Sequence, residues 1–243
     1  MSFWKKLFGG SKPTPGAPVT PQPRQAPSTA SVTSQPAKQT PSGGGLQLPA
    51  EFDGKTSYRD MFATLPPERL RAMCRALPIE QLDLERPGRP PIAHEMGRAI
   101  TQVFAISIYM ATKAVPAEFG DIVFPRLVAK IGTYNGAALH LELCDLVRDL
   151  AIQLAAGDRD QEAVRVLRVL KGSLFWRAWP QGDLCLFASL NNIAISTKSS
   201  SDFKAALEAA QHIPASQLNQ IGGNEAIERL KEKMALAQQN KQS

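Results

Sequence analysis

Side chains suited to catalysis and metal binding are scarce in this chain, which has three histidines and three cysteines among 243 residues. Cys74, Cys144 and Cys185 are odd in number, widely spaced and set in apolar helical contexts, the pattern of reduced core thiols rather than of a disulfide framework. His140 and Cys144 alone have ligand-like spacing, four apart and so on one face of a helix. No second pair accompanies them: Cys74, Cys185 and His212 are remote in sequence, and His94 and His212 read as surface or capping residues. No phosphate-binding loop occurs, since Gly43-Gly44-Gly45 runs into Leu-Gln-Leu-Pro, and there is no Gly-x-Ser-x-Gly elbow. The carboxylate pairs Asp158 with Asp160 and Glu142 with Asp145 adjoin arginines and helix ends, where caps and ion pairs are their simplest use. These absences point away from an enzyme and from a resident metal or cofactor.

Acidic residues are missing from residues 1–50, which hold five of the 28 lysines and arginines; the rest of the chain carries 23 basic against 22 acidic side chains. The formal charge of +6 therefore belongs to the N-terminal tail. A nearly neutral folded part argues against nucleic acid as a partner, because such domains concentrate Lys and Arg on a folded face. Long apolar runs are also missing. The uncharged stretch from Ala99 to Thr112 includes Thr101, Gln102 and Ser107 and falls short of the ~20 residues that span a bilayer, so it predicts a buried helix. With no signal-peptide apolar region and Ser2 where myristoylation needs Gly, the expected location is the cytoplasm.

What is present begins with Met1-Ser2-Phe3-Trp4-Lys5-Lys6-Leu7-Phe8-Gly9-Gly10. At about 100° per residue, Phe3, Trp4, Leu7 and Phe8 share one arc of a helix, with Lys5 and Lys6 outside it. Gly9 and Gly10 would stop that helix after roughly two turns, too short to persist without a surface. Residues 1–10, with Lys12, therefore predict an amphipathic peptide for an anionic membrane surface, where each nearby Lys contributes about 1 kcal/mol. Residues 11–50 hold nine prolines with Ser, Thr, Gln, Ala and Gly and almost no large apolar side chains, the composition of a disordered linker. As a coil it spans roughly 35 Å.

From residue 51 to 243 the periodicity predicts an all-α domain of antiparallel helical hairpins. Tyr58 to Leu65 and Pro67 to Leu77 are helical, and Pro87 to Pro91 is a rigid break. Ile92 to Ala114 and Pro116 to Ile131 form an apolar pair in residues 51–136, the second expected to kink or split at Pro125. Ala137 to Ala156, Gln161 to Leu170, Leu184 to Thr197 and the Ala-rich run after Asp202 make two hairpins within 137–214. Residues 222–240 contain a charged helix whose apolar face is read as Ile227, Leu230, Met234 and Leu236.

The two hairpins superpose on Ala163 and Ala206. At matching offsets the first helices carry Val147, Leu150 and Ala151, then Leu190, Ile193 and Ala194, and the turns carry Gly157-Asp158 and Ser201-Asp202. Residues 137–214 thus resemble tetratricopeptide repeats, in which small residues let two helices approach and an aromatic after the turn packs between them. Phe203 matches that aromatic; the first unit has Asp160 in its place. The spacing between units is 43 residues against about 34 in the family, because Trp176, Trp179 and their neighbours are inserted. The resemblance implies an α-solenoid-like array that binds protein or peptide partners, with Arg148, Asn191, Asn192 and Lys198 at offsets facing the concave side.

Trp176 and Trp179, beside Phe175 and Arg177, either fill the gap left by the longer connection or rim a partner-binding groove, since Trp and Arg are enriched in interface hot spots. The combined expectation is a non-enzymatic adaptor or scaffold, held peripherally at the cytoplasmic face of a membrane by its N-terminal peptide. Two rivals remain: a soluble adaptor whose N-terminal aromatics are a linear motif for a protein groove, and a small helical enzyme.

Overall fold

A computed structural model describes residues 46, 48–52, 56–85 and 94–239. The N-terminal peptide, most of the linker and the Pro87 to Pro91 break lie outside the described residues. Within them the architecture is all-helical, and the one strand-like feature is an isolated antiparallel bridge between Glu85 and Leu139.

Local chemistry sets the first helices. Ser57 caps α1 (Tyr58–Thr64), its hydroxyl accepting from the Asp60 amide at 3.1 Å. Pro67 opens α2 (Pro67–Ala76), where its missing N–H costs no hydrogen bond. The C-terminal carbonyls of α2 are covered by Arg126, which donates to Cys74 O at 3.1 Å and Leu77 O at 2.8 Å and forks onto Glu80. Leu46 and Leu48, placed in the linker by sequence, pack against the core, so the fold takes up chain ahead of residue 51.

Helix α3 (His94–Tyr109) runs into a π-helical turn, Met110–Ala114, and Pro116 ends it by forcing Val115 into extended backbone. Helix α4 (Ala117–Gly132) stays continuous through Pro125, contrary to the expected split. The proline ring sits on the exposed face, as does Asp121 one turn earlier, whose carbonyl loses its helical donor there.

A 3-10 turn, Gly136–Ala138, precedes α5 (Leu141–Ala156), so the helix expected from Ala137 begins four residues later. Then come α6 (Asp160–Lys171), α7 (Leu174–Ala178), α8 (Gly182–Thr197), α9 (Ser200–Ala210), α10 (Ala215–Leu218) and α11 (Gly223–Gln239). Helix α6 is central: it packs on α5, α4 and α8, while α8 packs on α9 and α9 on α11. Ala163 and Ala206 are both fully buried. The apolar face of α11 ends in Ala237 rather than Leu236, which is 60% exposed; positions 227, 230, 234 and 237 keep helical spacing and 236 does not.

Candidate functional site

The turn joining α5 to α6 carries the site, because three consecutive residues there are turned in three directions. Gly157 closes α5 against the π-helical turn; a Cβ at this position would lie 2.9 Å from the Ala111 carbonyl oxygen. Asp158 takes left-handed backbone, φ 64°, a conformation that Asp tolerates better than most residues. Arg159 then points toward α4. Its guanidinium pairs with Asp121, donates to Glu162 at 3.2 Å, and lies 4.7 Å from the centre of the Phe124 ring.

On one side of Arg159 is an apolar pocket of about 270 Å³ lined by Met110, Val115, Gly120 and Phe124. On the other is a polar pocket of about 250 Å³ between the turn and the second half of α8, lined by Asp158, Asp160, Glu162, Asn192, Ser196 and Thr197 among others. Asp160, the first residue of α6, is its central charge. Asn192 Nδ2 donates to its Oδ1 at 3.2 Å, and among the described residues no cation pairs with it. Burial pushes the Asp160 carboxyl above its usual range; Asn192 and Ser189 oppose that shift and the Asp158 carboxylate adds to it. Ser189 is fully buried on the same face of α8, and its hydroxyl makes no hydrogen bond of normal geometry.

The second hairpin shows why space remains here. Three residues before the buried Ala206 stands Phe203, 3% exposed and packed in the core; three residues before Ala163 stands Asp160. A short carboxylate fills less volume than a phenyl ring and presents polar acceptors where the ring presents an apolar surface.

The expected partner-binding residues fall into separate groups. Asn192 enters the polar pocket and Asn191 is its half-buried neighbour. Lys198 is exposed at the end of α8, with φ 52°, and caps the helix through its own N–H to Ala194 O. Arg148 is held by Asp145 at 2.5 Å and Asp149 at 2.8 Å and lies over the Phe175 ring, with 5.7 Å to its centre. Trp176 and Trp179 meet edge to face at 5.4 Å and are each 9% exposed, so they fill the longer connection rather than line an open rim. Gly182 provides the flat seat for Trp176, since a Cβ there would come within 2.9 Å of the indole.

His140 and Cys144 are committed to the backbone. His140 caps α5, its Nδ1 accepting from the Glu142 amide at 3.3 Å, and Cys144 Sγ donates to the His140 carbonyl at 3.6 Å. Among the described residues no three His, Cys, Asp or Glu side chains converge on a metal-sized site. Burial pushes the Cys74 thiol up to about 11 and the Cys185 thiol up to about 12.

Sequence reasoning missed Asp160, Ser189 and Arg159 as a group. One signal was in the sequence, a carboxylate at the position where the tetratricopeptide resemblance expects an aromatic. No family model matches the chain, and no curated protein or solved structure matches it either.

Proposed function

We propose that this protein is a non-enzymatic adaptor whose helical domain receives a protein partner at the polar pocket between α6 and α8, and whose N-terminal peptide tethers it peripherally to the cytoplasmic face of a membrane. In this reading α5–α6 and α8–α9 are two tetratricopeptide-like hairpins, and the pocket lies where one hairpin's turn meets the first helix of the next. The observation that carries the reading is the open pocket of about 250 Å³ containing Asn192, a position that the repeat resemblance turns toward a partner. For the tether, the support is the segregation of Phe3, Trp4, Leu7 and Phe8 from Lys5 and Lys6. No helix among the described residues is long and apolar enough to cross a membrane, so attachment would rest on such a peptide.

Site-specific photocrosslinking in cells tests the partner surface. A crosslinker at Ser196, exposed on the pocket rim, should give a discrete adduct that the same group at Leu236, exposed on α11, does not. Identical adducts from both positions, or none from Ser196, would refute the assignment. Liposome flotation tests the tether: the full chain should float with anionic vesicles, and Trp4→Ala combined with Lys5→Glu and Lys6→Glu should abolish this. Undiminished flotation of the triple variant would remove the membrane from the reading.

A further inference from the structure

The apolar pocket beside Arg159 is walled by an uncommon piece of backbone. Met110, Ala111, Val115 and Pro116 come from the π-helical turn and its end, a form that recurs at functional sites, and Gly120, Phe124 and Gly157 close the other sides. Two glycines keep it open: a Cβ on Gly120 would come within 2.6 Å of the Phe124 ring, and one on Gly157 within 2.9 Å of the Ala111 carbonyl oxygen. In a continued π-helical ladder that carbonyl would face the amide of residue 116, a proline without N–H, so the pocket wall offers an acceptor. Arg159 makes no ionic demand on an occupant, because Asp121 and Glu162 already pair with it. What remains is an apolar space edged by a thioether, a phenyl ring and a guanidinium, surroundings that an aromatic ring favours. Its volume of about 270 Å³ lies below the ~300–1,000 Å³ of sites for free small molecules and suits one bulky side chain.

The chain carries such a side chain within its own reach. Thirty-seven residues separate Phe8 from Leu46, and a coil of that length spans roughly 30–37 Å, against a radius of gyration of about 16 Å for a domain of this size. The linker also enters the domain on the pocket's side. Phe52 meets Tyr58 at 6.4 Å between ring centres, Tyr58 meets Tyr109 at 5.9 Å, and Tyr109 directly precedes Met110. We infer that the pocket seats the indole of Trp4 from the chain's own N-terminal peptide, its N–H donating to the Ala111 carbonyl. Phe3 and Phe8 lack that donor. Leu7 and Phe8 share the arc of Trp4 and cover the exposed Pro116 and Ala117 at the rim. Tethering gives an effective concentration in the millimolar range, so even a weak contact of this kind is populated. One apolar arc cannot meet the domain and a membrane at once, and an anionic surface therefore withdraws the peptide and opens the pocket. That competition rests on the tether reading above; the docking does not.

A nitroxide attached through Ser2→Cys of the full chain, whose three native thiols are buried, tests the docking through the methionine methyl NMR signals. The Met110 methyl should broaden at least threefold more than those of Met96 and Met234. Trp4→Ala should remove the difference without touching the domain, and Ala117→Phe, which fills the rim, should do the same from the pocket side. Uniform broadening, no broadening at Met110, or a difference that survives Trp4→Ala would overturn the inference. So would equal broadening in a mixture where one chain carries the nitroxide and another the isotope, since the occupant would then be a second copy's peptide. Anionic vesicles should relieve the broadening at Met110. Broadening that persists while the chain floats with the vesicles would overturn the competition; broadening that persists without flotation would overturn the membrane tether and leave the docking standing.

Discussion

Two glycines four residues apart should respond in opposite directions to the same substitution. Gly136 opens the 3-10 turn ahead of α5, and its Cα faces the end of α6. A Cβ built there would lie 2.6 Å from the Gly172 carbonyl carbon, 2.7 Å from the Gly172 Cα, and closer still to the Val169 carbonyl oxygen. All three neighbours are backbone, so no side chain can rotate aside; the α5 entry and the α6 exit would have to separate by roughly an ångström. Overpacking that flexible neighbours absorb costs about 1–3 kcal/mol, which puts Gly136→Ala at the top of that range, about 3 kcal/mol. For a domain of this size that is a fall of roughly 6–12 °C in Tm. Gly132, the last residue of α4, has nothing within 4 Å of its added Cβ and no positive φ. Gly132→Ala should therefore stabilise by about 0.4–1 kcal/mol, chiefly by restricting the unfolded chain. Calorimetry and urea unfolding of both variants would measure the pair. A Gly136→Ala protein melting within about 2 °C of the parent would refute the close backbone contact that fixes α5 against α6, and with it the framework of the pocket.

The remaining predictions concern charge and thiols. Because burial raises the folded-state pKa of Asp160 above its unfolded value, ionised Asp160 lowers stability in full above the folded pKa, and the deficit disappears as pH falls to the ordinary carboxylate range near 4. Asp160→Asn should accordingly melt higher than the parent at pH 7.5 and converge with it at pH 4 and below; the same difference at both pH values would contradict the buried-charge account. Cys74, Cys144 and Cys185 are all buried with raised pKa values, so a thiol reagent at pH 8 should label none in the native protein and all three in denaturant. Rapid native labelling of Cys185 would show that the α8 packing is looser than described.

Much of the helix inventory was legible because it rests on local rules. The stripe Val147, Leu150, Leu154 and the turn at Gly157-Asp158 specify α5 and its end from spacing and backbone preference alone, and the buried alanines at 163 and 206 could be picked out as small residues at matched offsets. Reading Asp160 as a helix-end carboxylate was also correct as far as local chemistry goes, since it is the first residue of α6. Its environment was not readable. Whether that carboxylate meets water, a cation or a buried hydroxyl depends on α8, more than twenty residues away, and on which face of α8 turns inward. The same holds for Arg159, whose partners Asp121 and Phe124 come from α4, and for Trp176 and Trp179, which the α7 connection folds inward. Leu236 failed for a smaller version of this reason: a one-residue shift rotates a side chain by about 100°, and only the packed partner α9 fixes which rotation is buried. Local preferences are short-range and write themselves into sequence spacing. Pockets and charge pairs join residues that only packing brings together, so the sequence determined most of the long helices, while the continuity of α4 through Pro125, the short helices α7 and α10 and the site were decided by the tertiary structure.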